Sequence, residues 1–191
     1  MEQQEMKQVS TLKKGLVIFL TGLSGAGKTT IAEALNKEIS KRFGRAITLL
    51  DGDVIRKILS SELGFSKEDR NINVKRVSFV AAEIAKHGGL VICAMIAPYC
   101  DSRREFREMV ANYGHFVEVY VSTPLAVCEK RDPKGLYTKA RLGLIKNFTG
   151  IDDPYEKPEN PELIIDTSDI SCAEAVDMII KYLTQQGYLA G

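Results

Sequence analysis

The sequence carries almost no net charge: 26 lysines and arginines against 25 aspartates and glutamates leave +1 over 191 residues. So even a balance excludes the broad positive field that would draw a chain onto nucleic acid or an anionic membrane. Cysteine is sparse and scattered. Cys93, Cys100, Cys128 and Cys172 form no C-x-x-C pair, which excludes the common zinc and dithiol motifs and suits reduced thiols in the cytoplasm. Cys93 reads as a buried strand residue. Histidine is scarcer still: His87 ends a helical pattern before Gly88 and His115 begins a strand. Neither has a partner at metal-ligand spacing, so both read as structural. No apolar run approaches the roughly 20 residues of a membrane span, and the first fourteen residues are polar and charged rather than signal-like. The chain also lacks internal repeats, low-complexity tracts and any dividing linker. One domain is expected from residue 15 onward, after the polar segment 1–14, with a core large enough to need neither disulfides nor a structural metal.

What is present is a glycine-rich phosphate-binding loop. Gly22, Leu23, Ser24, Gly25, Ala26, Gly27, Lys28, Thr29 and Thr30 follow the apolar stretch Leu16 to Leu20 and lead into a helical pattern ending at Phe43. The pattern needs Gly22, four free positions, then Gly27, Lys28 and Thr29, in a strand-loop-helix context. A polyphosphate requires many donors aimed at one small volume. Glycines allow positive φ and close backbone approach, and the helix opening near Lys28 adds unpaired N–H groups and the positive end of its dipole. Lys28 is placed to reach the β and γ phosphates, and the Thr29 hydroxyl to ligate Mg²⁺.

Short apolar runs alternate with longer helical patterns. Strands are expected at 15–21, 46–51, 90–96, 116–122 and 162–166, and helices at 28–43, 53–63, 67–87, 101–113, 124–130 and 171–186. This alternation predicts an α/β fold with a parallel sheet covered on both faces. Residues 131–161 have a different texture, rich in Lys, Arg, Gly and Pro but interrupted by Tyr137, Phe148 and Tyr155. They read as a lid, about 131–147, followed by an irregular active-site loop.

Asp51 and Asp53 close the second strand, and in open parallel sheets ligands lie outside the carboxyl ends of strands. A carboxylate there can take a proton from an attacking hydroxyl, orient water on magnesium, or cap the next helix; Asp53 is a candidate for catalysis and capping together. Arg56, Arg70, Asn73 and Arg76 follow. The last three recur at intervals of three on one side of a helix, where guanidinium forks suit phosphate or sulfate.

From Gly22 to Thr167 the sequence resembles the adenylylsulfate kinase family, through GLSGAGKTT at Gly22, DGDVIR at Asp51, GFSKEDRNINVKR at Gly64, FVEVYVSTPLAVCEKRDPKGLYTKAR at Phe116 and FTGIDDPYEKPENPE at Phe148. The resemblance implies a P-loop nucleoside-kinase-like three-layer sandwich with a five-stranded parallel sheet and a lid. It implies ATP-dependent phosphorylation of the 3′-hydroxyl of adenosine 5′-phosphosulfate, with Mg²⁺ as cofactor. By the same resemblance Lys28, Asp53 and Lys134 are catalytic, and the phosphate loop with Arg131 binds ATP, Arg131 lying over the adenine. Asp53, Arg56, Phe65, Arg70, Asn73, Ile96, Ala97, Gly135, Leu136 and Phe148 would form the acceptor pocket, Phe65 and Phe148 clamping its adenine. Thr29 would hold magnesium, with Asp51 or Asp53 acting through water. A homodimer and a functional partnership with ATP sulfurylase are further implications. One departure stands out. The family commonly has Ser-Pro-Tyr after the third strand, a serine viewed as a phosphoserine intermediate, whereas this chain reads Ala97, Pro98, Tyr99. Tyr99, Arg103 and Arg104 lie just beyond, near the acceptor or a subunit contact. Two other readings stay open: a kinase of this fold with another small acceptor, and a catalytically weakened regulatory module.

Overall fold

In the computed structural model, which describes residues 14–189, five parallel strands form one sheet in the order β2-β3-β1-β4-β5. Of the polar segment 1–14, all but Lys14 lies outside the described residues. The strands are β1 (Gly15–Thr21), β2 (Ile47–Asp51), β3 (Leu90–Ala94), β4 (Gly114–Val121) and β5 (Leu163–Ile165). The helices are α1 (Lys28–Phe43), α2 (Gly52–Ile58), α3 (Lys67–Lys86), α4 (Cys100–Ala111), α5 (Leu125–Arg131), α6 (Leu136–Arg141) and α7 (Cys172–Gln185). This is the α/β architecture expected of the sequence.

Central strand β1 is buried along its whole length, and its alternation divides the core. Leu16, Ile18 and Leu20 face α1, α7 and the α5–α6 segment, with Ile31, Leu35, Ile179, Leu183 and Tyr137. Val17 and Phe19 face α2, α3 and α4, with Ile55, Val77, Ala81 and Phe106. Phe19, Phe106 and Phe116 interlock there with ring centroids 5.1 to 5.7 Å apart. At Gly15 a Cβ would fall 2.2 Å from the Ala85 carbonyl oxygen, so glycine is what lets the end of α3 close on β1. Buried Glu118 is matched by Arg103 at 3.1 Å and Arg107 at 3.3 Å, and Arg107 also grips Glu162 at 2.6 Å. His115 stacks on Tyr188 at 4.2 Å.

Two elements differ from expectation. The helix expected over 53–63 ends at Ile58, because Ser60 and Ser61 favour turns over helix and Gly64 follows. Arg76 accounts for the turn: it donates to the Leu59 carbonyl at 2.6 Å and pairs with Glu62 at 2.6 Å. It is therefore a latch on this turn and not a member of an anion-binding row. Within the expected lid, α6 is an unanticipated helix. Its start is organised by Asp132, whose carboxylate accepts from the Tyr137 and Thr138 amides, both at 3.0 Å.

Candidate active site

The carboxyl ends of β1, β2 and β3 open into a cleft of about 790 Å³. One end is the phosphate loop, where Gly22, Gly25 and Gly27 have φ of 147°, 75° and 102°. Ser24, Gly25, Gly27, Lys28, Thr29 and Thr30 line the cleft. Gly22, Leu23 and Ala26 lie behind it. Gly22 is required by packing, since a Cβ there would meet the Val121 carbonyl oxygen at 2.4 Å. The carbonyl of buried Ala26 accepts from Thr123 and Thr167 at 3.2 and 3.0 Å. Lys28 is nearly buried and donates to the Leu23 carbonyl at 2.7 Å. Burial pushes its pKa down to about 8, against the opposing pull of Cys128 and Asp53.

The next wall is β2 and its exit. Asp51, rather than Asp53, caps α2: its Oδ1 accepts from the amides of Asp53 at 2.9 Å and Val54 at 3.4 Å. Its Oδ2 accepts from the Thr29 hydroxyl at 2.7 Å. Capping by its neighbour leaves the Asp53 carboxylate free, and it pairs with Lys134, which reaches over from between α5 and α6. A hydroxyl held against one carboxylate and one residue from another is a donor set of the kind magnesium uses beside phosphate oxygens and water. Among the described residues no three or more His, Cys, Asp or Glu side chains are grouped so that they could hold a metal ion by themselves.

At the other end Arg56, Phe65, Arg70, Asn73, Ile96, Ala97, Leu136 and Phe148 all line the cleft, while Gly135 does not. Gly135 serves as the left-handed N-cap of α6, at φ 63°. Phe65 is 55% exposed and Phe148 only 9%. The Arg56 guanidinium lies 4.6 Å from the Phe65 ring centre, an attraction between cation and ring face. Asn73 Oδ1 and Thr149 Oγ1 are buried without partners among the described residues, and both residues line the cleft. Unpaired buried polar atoms are costly, and an amide oxygen and a hydroxyl left open here suit this end to a polar ligand. Ala97 has φ 42° and presents only a methyl group; its carbonyl accepts from Arg103 at 2.6 Å. Arg103 is buried and Arg104 is exposed, paired with Asp101 at 2.5 Å.

The Arg131 guanidinium donates to the Thr167 hydroxyl at 2.8 Å and carbonyl at 2.6 Å, tying the end of α5 to the exit of β5 beside the phosphate loop. Thr167, Thr149, Asn147 and Cys172 also line the cleft and were missed by the sequence reading. Thr167 could have been found, since it follows a strand at its carboxyl end.

A model of the adenylylsulphate kinase family matches residues 14–166. A protein from Synechococcus sp. (strain JA-3-3Ab) described as an adenylyl-sulfate kinase is 48% identical over 93% of this chain and 98% of its own. A sulfate adenylyltransferase of Phaeosphaeria nodorum is 50% identical over 93% of this chain, which spans 31% of that longer protein. Among solved structures, the APS kinase CysC of Mycobacterium tuberculosis, in complex with AMPPNP and APS, superposes with a TM-score of 0.86 at 42% identity, over 90% of this chain and 99% of that one.

Proposed function

This chain belongs to the adenylylsulphate kinase family and phosphorylates adenylylsulfate with ATP, and we propose that the γ-phosphoryl group passes directly in line to the 3′-hydroxyl, with no phosphoenzyme between. The observation that carries the proposal is the cleft itself. Lys28, Lys134 and Asp53 meet between its two ends, and the wall at Ala97 offers no nucleophile. Phosphoryl transfer asks mainly for alignment and charge neutralisation. Lys28 and Lys134 supply positive charge around the transferring group, and Asp53 orients the attacking hydroxyl. In this reading residues 15–191 act as one domain with a lid at about 131–147, whose closure excludes water that would otherwise accept the phosphoryl group.

Thr29, with Asp51 or Asp53 acting through water, would hold Mg²⁺, which supplies charge neutralisation at the phosphates when bound. The reading extends to a cytoplasmic homodimer; among the described helices none is long and apolar enough to cross a membrane. Apolar Ile58, Ile72 and Phe79, exposed on α2 and α3, support a subunit contact there. Likeness to a segment of a longer sulfate adenylyltransferase supports ATP sulfurylase as functional partner.

The test is rapid-quench turnover with γ-labelled ATP. Adenylylsulfate should drive ADP release with no label retained on protein, and Ala97→Ser should change kcat less than about twofold. Label entering and leaving the protein at the rate of turnover would sink direct transfer.

A further inference from the structure

Arg70 is 7% exposed and uses its guanidinium to join two segments of backbone. Its Nε donates to the Phe65 carbonyl at 3.0 Å, and one Nη donates to the Asn147 carbonyl at 2.6 Å. Phe65 carries one aromatic ring of the acceptor end, and Asn147 immediately precedes the other, Phe148. Of the guanidinium's five N–H donors, these two bonds leave three for an anionic ligand. Arg70 is therefore both a strut across the acceptor end and a donor into it, and its orientation decides both.

Behind Arg70 stand Tyr99, which the sequence placed near the acceptor or a subunit contact, and Asp153, to which it gave no role. Asp153 Oδ2 lies 3.8 Å from Arg70 Nε, and the Tyr99 hydroxyl donates to both Asp153 oxygens, at 2.9 and 3.1 Å. Tyr99 is 3% exposed, and neither it nor Asp153 lines the cleft. Burial lowers the pKa of Arg70, and Asp153 is the first charge that opposes this. Burial and the bonded carboxylate push the Tyr99 hydroxyl up to about 12, so it remains a donor at neutral pH. The loop that carries Asp153 is itself fastened. The neighbouring carboxylate of Asp152 accepts from the Asn147 and Phe148 amides at 2.7 and 2.5 Å, and the Glu156 amide donates to the Pro98 carbonyl at 2.8 Å.

We propose that Asp153 and Tyr99 are positioning residues for adenylylsulfate, holding Arg70 across the Phe65 and Asn147 carbonyls and so fixing the gap between the Phe65 and Phe148 rings. The inference rests on the acceptor reading given above. Its consequence is selective: the acceptor end should loosen while the phosphate loop, at the other end of the cleft, is untouched.

Steady-state kinetics of the full chain with ATP and adenylylsulfate test this. Asp153→Asn should raise the adenylylsulfate KM about tenfold, the scale of one charge-assisted contact, with the ATP KM within about twofold of wild type. Tyr99→Phe, which removes one hydroxyl and little volume, should raise it about threefold with the same selectivity, and serves where Asp153→Asn folds poorly. In an Arg70→Lys background neither change should add further, because both act through Arg70. An adenylylsulfate KM within about twofold of wild type in Asp153→Asn and Tyr99→Phe alike would overturn the proposal, as would equal rises in both KM values or full additivity with Arg70→Lys. If the wild-type chain released no ADP with adenylylsulfate, the acceptor reading itself would fall, and this inference with it.

Discussion

Lys28 shows how one side chain couples proton binding to ligand binding. In the free protein its ammonium is nearly buried, with the Leu23 carbonyl as its one direct partner among the described residues, and burial holds its pKa down at about 8. A triphosphate in the loop supplies the missing negative charge and must raise that value. The sign follows from the direction of the shift. Below about pH 7 Lys28 is protonated whether or not ATP is bound, and affinity is flat; above about pH 8 the free form has lost its proton, and binding must restore it. ATP affinity should therefore fall above pH 8, by up to about tenfold per pH unit. Calorimetric titrations in buffers of different ionisation enthalpy should find uptake of close to one proton at about pH 9 and almost none at about pH 7. Lys28→Arg, which stays charged throughout, should lose the step. A wild-type affinity that does not change between these values would show that Lys28 is already fully charged in the free protein.

At the scale of elements, legibility depended on how local the determining interaction was. Helix α7 could be read because its cap is sequence-adjacent. Ser171 accepts from the Glu174 amide and Glu174 reaches back to the Ser171 amide, a complete capping box in front of a periodic apolar face. Ser171→Ala should cost about 1 kcal/mol of stability in a urea melt with kcat unchanged. A fall in kcat at unaltered stability would mean that Ser171 serves the cleft, beside Ile170 and Cys172, instead of the helix. Helix α6 was hidden for the opposite reason. It has six residues, too few to show a period, and its first turn is organised by Asp132 from outside the helix. The role of Arg76 was not legible because its contacts run between elements, from α3 back to Leu59 and Glu62, whereas the early end of α2 was marked locally by Ser60, Ser61 and Gly64 and was simply placed too late. The site divides the same way. The phosphate loop and the acids after β2 were legible as motifs. The bonds from Arg131 to Thr167 and from Arg70 to Asn147 span 36 and 77 positions and have no local signature.

For the whole molecule, the arrangement that matters is a sheet with two separate apolar layers and one cleft shared between them. The phosphate loop, α1, α6 and Phe148 pack in one layer, and α2, α3, Met95 and Ala97 in the other. In the proposed reaction the ATP phosphates and the acceptor hydroxyl would thus be presented from different layers, and transfer would depend on how the layers are aligned at the cleft. Lys134 and Asp53 form an ionic contact that crosses it, from the α5–α6 segment to α2. Both side chains are largely exposed, at 55% and 64%, and such pairs contribute only about 0–1 kcal/mol to folding. In the proposed transfer the same charges would gain much more, when water is excluded and negative charge moves between the two substrates. Lys134→Ala should therefore leave the urea midpoint almost unchanged while lowering kcat by about a hundredfold or more. A contact that acts chiefly in the transition state, as proposed for this one, predicts that kcat and kcat/KM fall together, with both KM values little altered. A variant that lost stability but kept kcat would make the pair a structural tie between the layers; one that raised the ATP KM alone would assign Lys134 to ground-state nucleotide binding.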